Sequence, residues 1–348
     1  MNSIERAAFG RMPDGRLADI FILRNSRGLC AKVTNFGITV VALEAPDRNG
    51  NVSDVVLGYD DFQSYCEGDK FFGAIIGRFG NRIGGAAFRL NDREYSLPAN
   101  DGDNHLHGGS PGFDKRLWDA EILDAANSVR FTLLSADGDQ GYPGNLQVEV
   151  LVSLDEDNCL NFDCRATCDQ ATPISLTHHS YFNLAGTGDI LDHELRLEAD
   201  AFTPAQNGIP DGSLLNVDGT PFDFREFKPV GRDIQTQHEQ IVSGRGYDHN
   251  FVARGANGKH CKLLASVLEK GSGRRLRVYS NAPGIQFYSG NFMNGDGSGK
   301  GRRFDYRSAL CLEPQEFPDA PNKPEFPSSV LQPGDTYLHL MKYQLDTL

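Results

Sequence analysis

Apolar positions along this chain recur mainly in short runs and with a period of two, and helical spacing is scarce throughout. The clearest alternation is Leu146-Gln-Val-Glu-Val-Leu-Val-Ser-Leu154, which predicts a half-buried strand inside the segment from Val129 to Leu154. Leu160 to Cys168 continues in the same style, with Cys164 and Cys168 on one face as small apolar fillers. Strand residues also dominate Leu17 to Leu23 and Cys30 to Leu43, the latter around Asn35 and Gly37. Val55 to Tyr59 and Phe71 to Ile76 are brief buried runs, and Leu276 to Tyr279 and Gly284 to Gly290 read as strands. Turn chemistry separates them: Pro46-Asp-Arg-Asn-Gly50 and Gly141-Tyr-Pro-Gly144. Phe202 to Gly231, crowded with Pro and Gly, predicts a long ordered loop. With no repeat and no low-complexity linker, residues 1–348 are expected to form a single, mostly antiparallel all-β domain.

Composition narrows the partners. A length of 348 residues would also fit two domains, but large all-β units run to this size. The 34 basic against 47 acidic residues give a formal charge of -13, with no basic run to meet a phosphate backbone, so nucleic acid is excluded as a partner. The seven cysteines form no CxxC pair and are odd in number, which points to reduced thiols. The start Met1-Asn-Ser-Ile-Glu-Arg has no signal-peptide pattern, and no run of about 18 apolar residues occurs. A cytoplasmic protein without a membrane partner is the expectation.

Chemistry concentrates in five places. Leu176-Thr-His-His-Ser-Tyr-Phe-Asn-Leu184 sets two imidazoles among hydrogen-bonding Ser180, Tyr181 and Asn183, an acid/base candidate or else a half-buried strand with satisfied histidines. In glycine-rich Gly77-Arg-Phe-Gly-Asn-Arg-Ile-Gly-Gly85, Asn81 and Arg82 offer adjacent donors for sugar hydroxyls or a carboxylate, though a surface ion pair is the commoner fate of an arginine. The stretch lacks the order of a phosphate loop. His105 and His107 alternate, so only one would face a pocket on an extended chain. A cupin-like metal reading of that pair lacks its following carboxylate, and no metal is expected. Asp248 opens the strand from Tyr247 to Val252 as a ligand acceptor or a turn cap. Finally, Ala309 to Leu312 delivers Glu313 to an expected strand end before Pro314, where desolvation would raise its pKa, unless it is simply paired to an arginine.

Taken together, these pieces resemble the aldose 1-epimerase (mutarotase) family along nearly the whole chain. The resemblance is carried by Pro46-Asp-Arg with Asp54-Val-Val-Leu-Gly-Tyr59, Gly77-Arg with Asn81-Arg-Ile83, His107-Gly-Gly109, and Gly112-Phe-Asp-Lys115 with Trp118. It continues in Gly141-Tyr-Pro-Gly-Asn145, His179-Ser-Tyr-Phe-Asn-Leu184, Asp248-His, Gln286-Phe-Tyr288 and Leu312-Glu-Pro-Gln315. The resemblance implies a large antiparallel β-sandwich of the galactose-mutarotase type with few short helices, an open groove for a free aldose such as galactose or glucose, and no cofactor. By position Glu313 matches the general base and His179 the acid of ring opening, while Arg82, His107 and Asp248, with Asn81 and Gln286 as neighbours, match the sugar-holding set. A monomer or homodimer is the family expectation.

Two departures stand out. His178 occupies the position before the acid where the family usually has Asn, and on a strand it would face away from His179. Pro314 stands where a small polar residue is usual. A hexose 6-phosphate epimerase would need further Arg or Lys at the groove, a silent sugar-binding protein would not need both Glu313 and His179, and a glycosidase would need a second carboxylate.

Overall fold

The computed structural model describes residues 4–123, 127–255, 258 and 260–348. Period-two sequence becomes three large antiparallel sheets among the described residues, beside several two-stranded ones. The first is a meander of five strands, β1 (Glu5–Arg11), β2 (Leu17–Arg24), β3 (Cys30–Thr34), β4 (Thr39–Pro46) and β5 (Val52–Asp54), each paired with the next. The apolar stretch from Cys30 to Leu43 is thus two strands. Gly37 turns the chain between them at φ +66°, where a Cβ would lie 2.3 Å from the Asp114 carbonyl oxygen, so glycine is required.

The second sheet holds β6 (Asp119–Leu123), β7 (Ser128–Ser135), β8 (Leu146–Leu154), β9 (Cys159–Cys168), β11 (Glu194–Leu197), β14 (Lys228–Pro229), β16 (Lys262–Leu268), β17 (Arg274–Ser280) and β20 (Tyr337–Thr347), in the order β6-β7-β8-β9-β20-β17-β16-β11-β14. The third holds β10 (Tyr181–Phe182), β12 (Ala199–Phe202), β13 (Leu215–Asn216), β15 (Asp248–Ala253), β18 (Gly284–Tyr288) and β19 (Leu310–Gln315), ordered β10-β19-β18-β15-β12-β13. The last two pack face to face as a β-sandwich. Val148, Val150, Val152, Phe162, Leu276 and Val278 from one meet Phe251, Ile285, Phe287, Leu310 and Leu312 from the other in one buried cluster. Each such side chain removed from water contributes about 1.5–3 kcal/mol before conformational entropy is counted.

Alternation decides what the other face of the third sheet carries. Phe287 pairs with Leu312 toward the core, so their neighbours Gln286 and Glu313, also directly paired, point the opposite way. Asp248 pairs with Tyr288, Tyr288 with Cys311, and Cys311 with Tyr181, all on that same outer face. One fold period therefore builds both a core and a polar platform.

Glu313 is not at a strand end: β19 runs on through Pro314 to Gln315, paired with Ile285 and Gly284. The proline is tolerated because β10 pairs with β19 only at Leu310 and Cys311, leaving that flank without a ladder at Pro314. The segment from Phe202 to Gly231 is loop interrupted by two-residue strands at Ala205–Gln206, Ile209–Pro210, Leu215–Asn216 and Lys228–Pro229. Two six-residue α-helices, α1 (Phe62–Glu67, capped by Asp61) and α2 (Glu239–Gly244, capped by His238), are too short to show a helical period. No helix among the described residues is long and apolar enough to cross a membrane. All seven cysteines stand outside disulfides.

Candidate active site

Glu313, Gln286 and Asp248 rise from adjacent strands into a pocket of about 200 Å³, which His179, Asn81, Arg82 and His107 close from the loops. The structure thus brings together all seven residues singled out from the sequence. Pockets for drug-sized ligands run to about 300–1,000 Å³, so this one suits a single small polar molecule.

At its floor His179 Nε2 stands 3.7 Å from Glu313 Oε2, with the side chains 6% and 3% exposed. Glu313 Oε2 and His179 Nδ1 are buried without a hydrogen-bond partner on another residue. Burial pushes the Glu313 carboxyl well above its ordinary range, the nearby Asp248 charge adds to this, and the Arg82 guanidinium opposes it. Burial drives His179 the other way, down to about 4. Both shifts oppose charge, so burial favours a neutral carboxyl beside a neutral imidazole, with one proton shared by the pair.

Asp248 Oδ1 accepts from Gln286 Nε2 at 2.8 Å, and Gln286 Oε1 accepts from Gln315 Nε2 at 3.4 Å, which fixes the amide's orientation. Burial also raises the Asp248 carboxyl, against the charge of Arg82 and the Gln286 hydrogen bond. Arg82 Nε donates to Asp101 Oδ2 at 2.7 Å, and Lys70 Nζ lies 3.2 Å from Asp69. Both cations lining the pocket are thus already partnered, which leaves no free cluster for a phosphate.

The loops are held by backbone pairing: Arg82–Ile83 lies antiparallel to His105–Leu106. Beyond it the alternation ends, because His107 takes a left-handed φ of +52°, as does Asn81 at +66°. His107 enters the pocket while His105 turns to the Pro98 carbonyl at 2.8 Å. The arrangement expected from alternation is found, but a backbone turn produces it. Asn81 N–H donates to His107 Nδ1 at 3.1 Å, so the neutral ring carries its hydrogen on Nε2 and is a fixed donor. Ligand atoms of His107, His179 and Glu313 lie within 4.8 Å of one another, as in a metal triad. That hydrogen bond argues against the metal, since one His107 nitrogen accepts from Asn81 and the other is protonated.

Several sequence pieces prove to be scaffolding. The buried Arg78 donates to the carbonyls of Pro143 at 2.9 Å and Gly144 at 3.1 Å, which links Gly77-Arg to the Gly141–Asn145 turn. His178 faces away from the pocket: its ring stacks on Phe162 at 4.3 Å and meets Tyr343 at 5.3 Å, and burial lowers its pKa to about 3. Gly108, at φ +79°, passes so close to Gly77 that a Cβ would lie 1.9 Å from its carbonyl oxygen. Gly108→Ala is expected to cost about 2–3 kcal/mol of stability by urea unfolding. Unchanged unfolding would show that the loop relaxes freely.

Sequence reasoning gave no role to Phe71, Tyr288, Asp69 or Lys70, which line the pocket together with Tyr181. Period two from Gln286 would have found Tyr288. Phe71, a phenylalanine at φ +57°, left no such signal.

A family model described as aldose 1-epimerase matches residues 19–344. Galactose mutarotase of Bos taurus is 44% identical to this chain, covering 97% of each. Aldose 1-epimerase of Escherichia coli K12 is 38% identical over 95% of this chain and 96% of that protein. Among solved structures, an aldose epimerase homologue from C. elegans superimposes with a TM-score of 0.87 at 30% identity, covering 95% of this chain and 99% of the other. A galactose 1-epimerase from Lactobacillus acidophilus gives 0.87 at 28% identity, over 100% and 99%. With a matching family model, relatives of this identity over nearly full length and an antiparallel sandwich of the same shape, the chain belongs to the aldose 1-epimerase family and is an epimerase acting on aldoses.

Proposed function

We propose that Glu313 and His179 are the base and acid with which this epimerase interconverts the α and β anomers of free galactose or glucose. The observation that carries the reading is the 3.7 Å approach of His179 Nε2 to Glu313 Oε2 in one buried pocket. The two oxygens that must exchange protons are attached to a single carbon, so the groups serving them must themselves be neighbours.

A bound sugar brings hydroxyl donors to Glu313, and these with the Arg82 charge stabilise its carboxylate, so the shared proton passes to His179. The carboxylate then takes the proton of the anomeric hydroxyl as His179 Nε2–H protonates the ring oxygen. The O–H electron pair becomes the second bond of the aldehyde, and the pair of the broken C–O bond stays on the ring oxygen. Rotation about the bond between the first two carbons turns the other carbonyl face to the hydroxyl. Closure uses Glu313 as acid and His179 as base, restoring the starting state. Asn81, Arg82, His107, Asp248 and Gln286 hold the remaining hydroxyls, and an unpaired buried donor costs a mismatched sugar about 1–3 kcal/mol. The reaction so written has no step for a cofactor.

Polarimetry of freshly dissolved α-D-galactose and α-D-glucose tests this: native protein should speed the approach to equilibrium well beyond buffer. Sugar binding with no acceleration would make this a silent binding protein. The pH profile tests the pair. The value of kcat/KM should fall as pH drops through about 4, where His179 takes a second proton while Glu313 keeps its own. It should fall again at alkaline pH, once the pair's single proton is lost. Rates from about pH 3 to pH 10, corrected for buffer catalysis, check this, and an acid limb at the ordinary histidine value would sink the buried pair. The reading also places the protein in the cytoplasm as a monomer or homodimer, which cell fractionation and sedimentation would check.

A further inference from the structure

A working histidine is ordinarily aimed by a hydrogen bond on its second ring nitrogen. His179 receives none from another residue: its Nδ1 is buried and reaches only its own backbone. Two aromatic rings flank the imidazole instead, nearly parallel to it: Tyr181 at 5.0 Å and 16°, and Phe71 at 5.9 Å and 21°. Tyr181 owes its place to the ladder of the third sheet, facing Cys311. Phe71 has no such support. It sits outside regular structure at φ +57°, a conformation that is costly for a phenylalanine and persists only where its surroundings enforce it. The enforcement is visible two residues on. Gly73 N–H donates to the His179 carbonyl at 2.9 Å, and His179 N–H donates to the Ala74 carbonyl at 2.9 Å, so the segment carrying Phe71 is tied to the histidine on both sides. The Phe71 ring also meets His107 at 4.8 Å and 62°.

We infer that Phe71 is a positioning residue for the epimerisation: its ring, held by a strained backbone, stands in for the missing Nδ1 hydrogen bond to another residue and keeps the His179 imidazole within reach of Glu313 and the sugar. The inference rests on the reading of His179 as the acid. An aromatic face does a second thing that a carbonyl cannot. It leaves the neutral ring's hydrogen free to sit on either nitrogen, and it attracts the imidazolium through its π electrons when the proton arrives. This suits a group that must alternate between acid and base in one turnover.

The test compares Phe71→Leu and Phe71→Tyr, alone and combined with His179→Asn or His107→Gln, by polarimetry over a range of galactose concentrations. Leucine suffers the same backbone penalty and keeps the site apolar, so it removes the ring and little else. Phe71→Leu should lower kcat about ten- to a hundredfold with KM within about threefold, as a misaimed acid would, and Phe71→Tyr should restore kcat to within about threefold. In the His179→Asn background Phe71→Leu should cost nothing further, while with His107→Gln, whose ring Phe71 also touches, a further loss of kcat should remain. The 15N resonances of the His179 ring, sharp in the native protein, should broaden in Phe71→Leu by exchange between orientations. Equal losses in both backgrounds, unchanged ring resonances, or a loss confined to KM would overturn the inference, the last making Phe71 a stacking surface for sugar. His179→Asn at the native rate would instead overturn the acid assignment and this inference with it.

Discussion

Replacing Glu313 with Gln is expected to lower kcat by about a hundred- to ten-thousand-fold, while the variant folds at least as well as the native protein. The two halves of this result come from one observation. Glu313 is 2% exposed, and its Oε2 has no hydrogen-bond partner, so the carboxyl is kept at the expense of stability. Glutamine has the same shape and cannot take a proton, which removes general-base catalysis worth about that factor. The stability change has a definite pH signature. The folded carboxyl titrates well above the 4.5 of a free side chain, so it binds its proton more tightly folded than unfolded. Its contribution is fully present below the unfolded value and is lost as pH rises through the folded one. Glu313→Gln should therefore gain over native protein as pH increases, by urea unfolding at several pH values. A Gln variant keeping a tenth of native kcat would remove Glu313 from the chemistry.

His179→Asn should lower kcat by a comparable factor for a different reason, and the two variants together should be no worse than either alone, because the proton transfers are coupled. Asparagine cannot deliver a proton at neutral pH, and opening the hemiacetal would then expel an unprotonated ring oxygen. Unlike the Glu313 variant, this one should lose stability, about 1–2 kcal/mol, since the imidazole stacks on Tyr181 at 5.0 Å and on Phe71 at 5.9 Å and its removal leaves a gap. Polarimetry and urea denaturation on the same samples check both. Losses that multiply in the double variant would mean that the two groups act on separate steps.

The strands were legible because each sheet presents one face to a common core, so period two survives in Leu146 to Leu154 and in Gly284 to Tyr288. Glu313 and Asp248 were legible as carboxylates at the ends of apolar runs and Gln286 only through the family resemblance, although all three prove to be polar positions of strands whose alternate residues are buried. What escaped notice depends on non-periodic geometry. Phe71 left no trace, and although Asn81 and His107 were singled out, a non-glycine sequence does not announce the left-handed backbone angles that aim all three. The continuation of β19 past Pro314 was hidden because it depends on where β10 stops, a fact about a strand over a hundred residues away. Strand alternation alone turned His178 away from His179, and its stacking on Phe162 bears that direction out.

The direct pairing of Gln286 with Glu313 beside that of Phe287 with Leu312 has a use at the bench. A slip of β19 by one residue against β18 would turn Glu313 and Gln315 into the oil and Leu310 and Leu312 into water, an arrangement with neither a stable interior nor a proton relay. Turnover is therefore a register-specific reporter. In refolding, circular dichroism counts strands however they are aligned, whereas recovery of optical-rotation activity counts only molecules whose central ladder closed in the native frame, and the lag between the two signals would time the search for correct alignment.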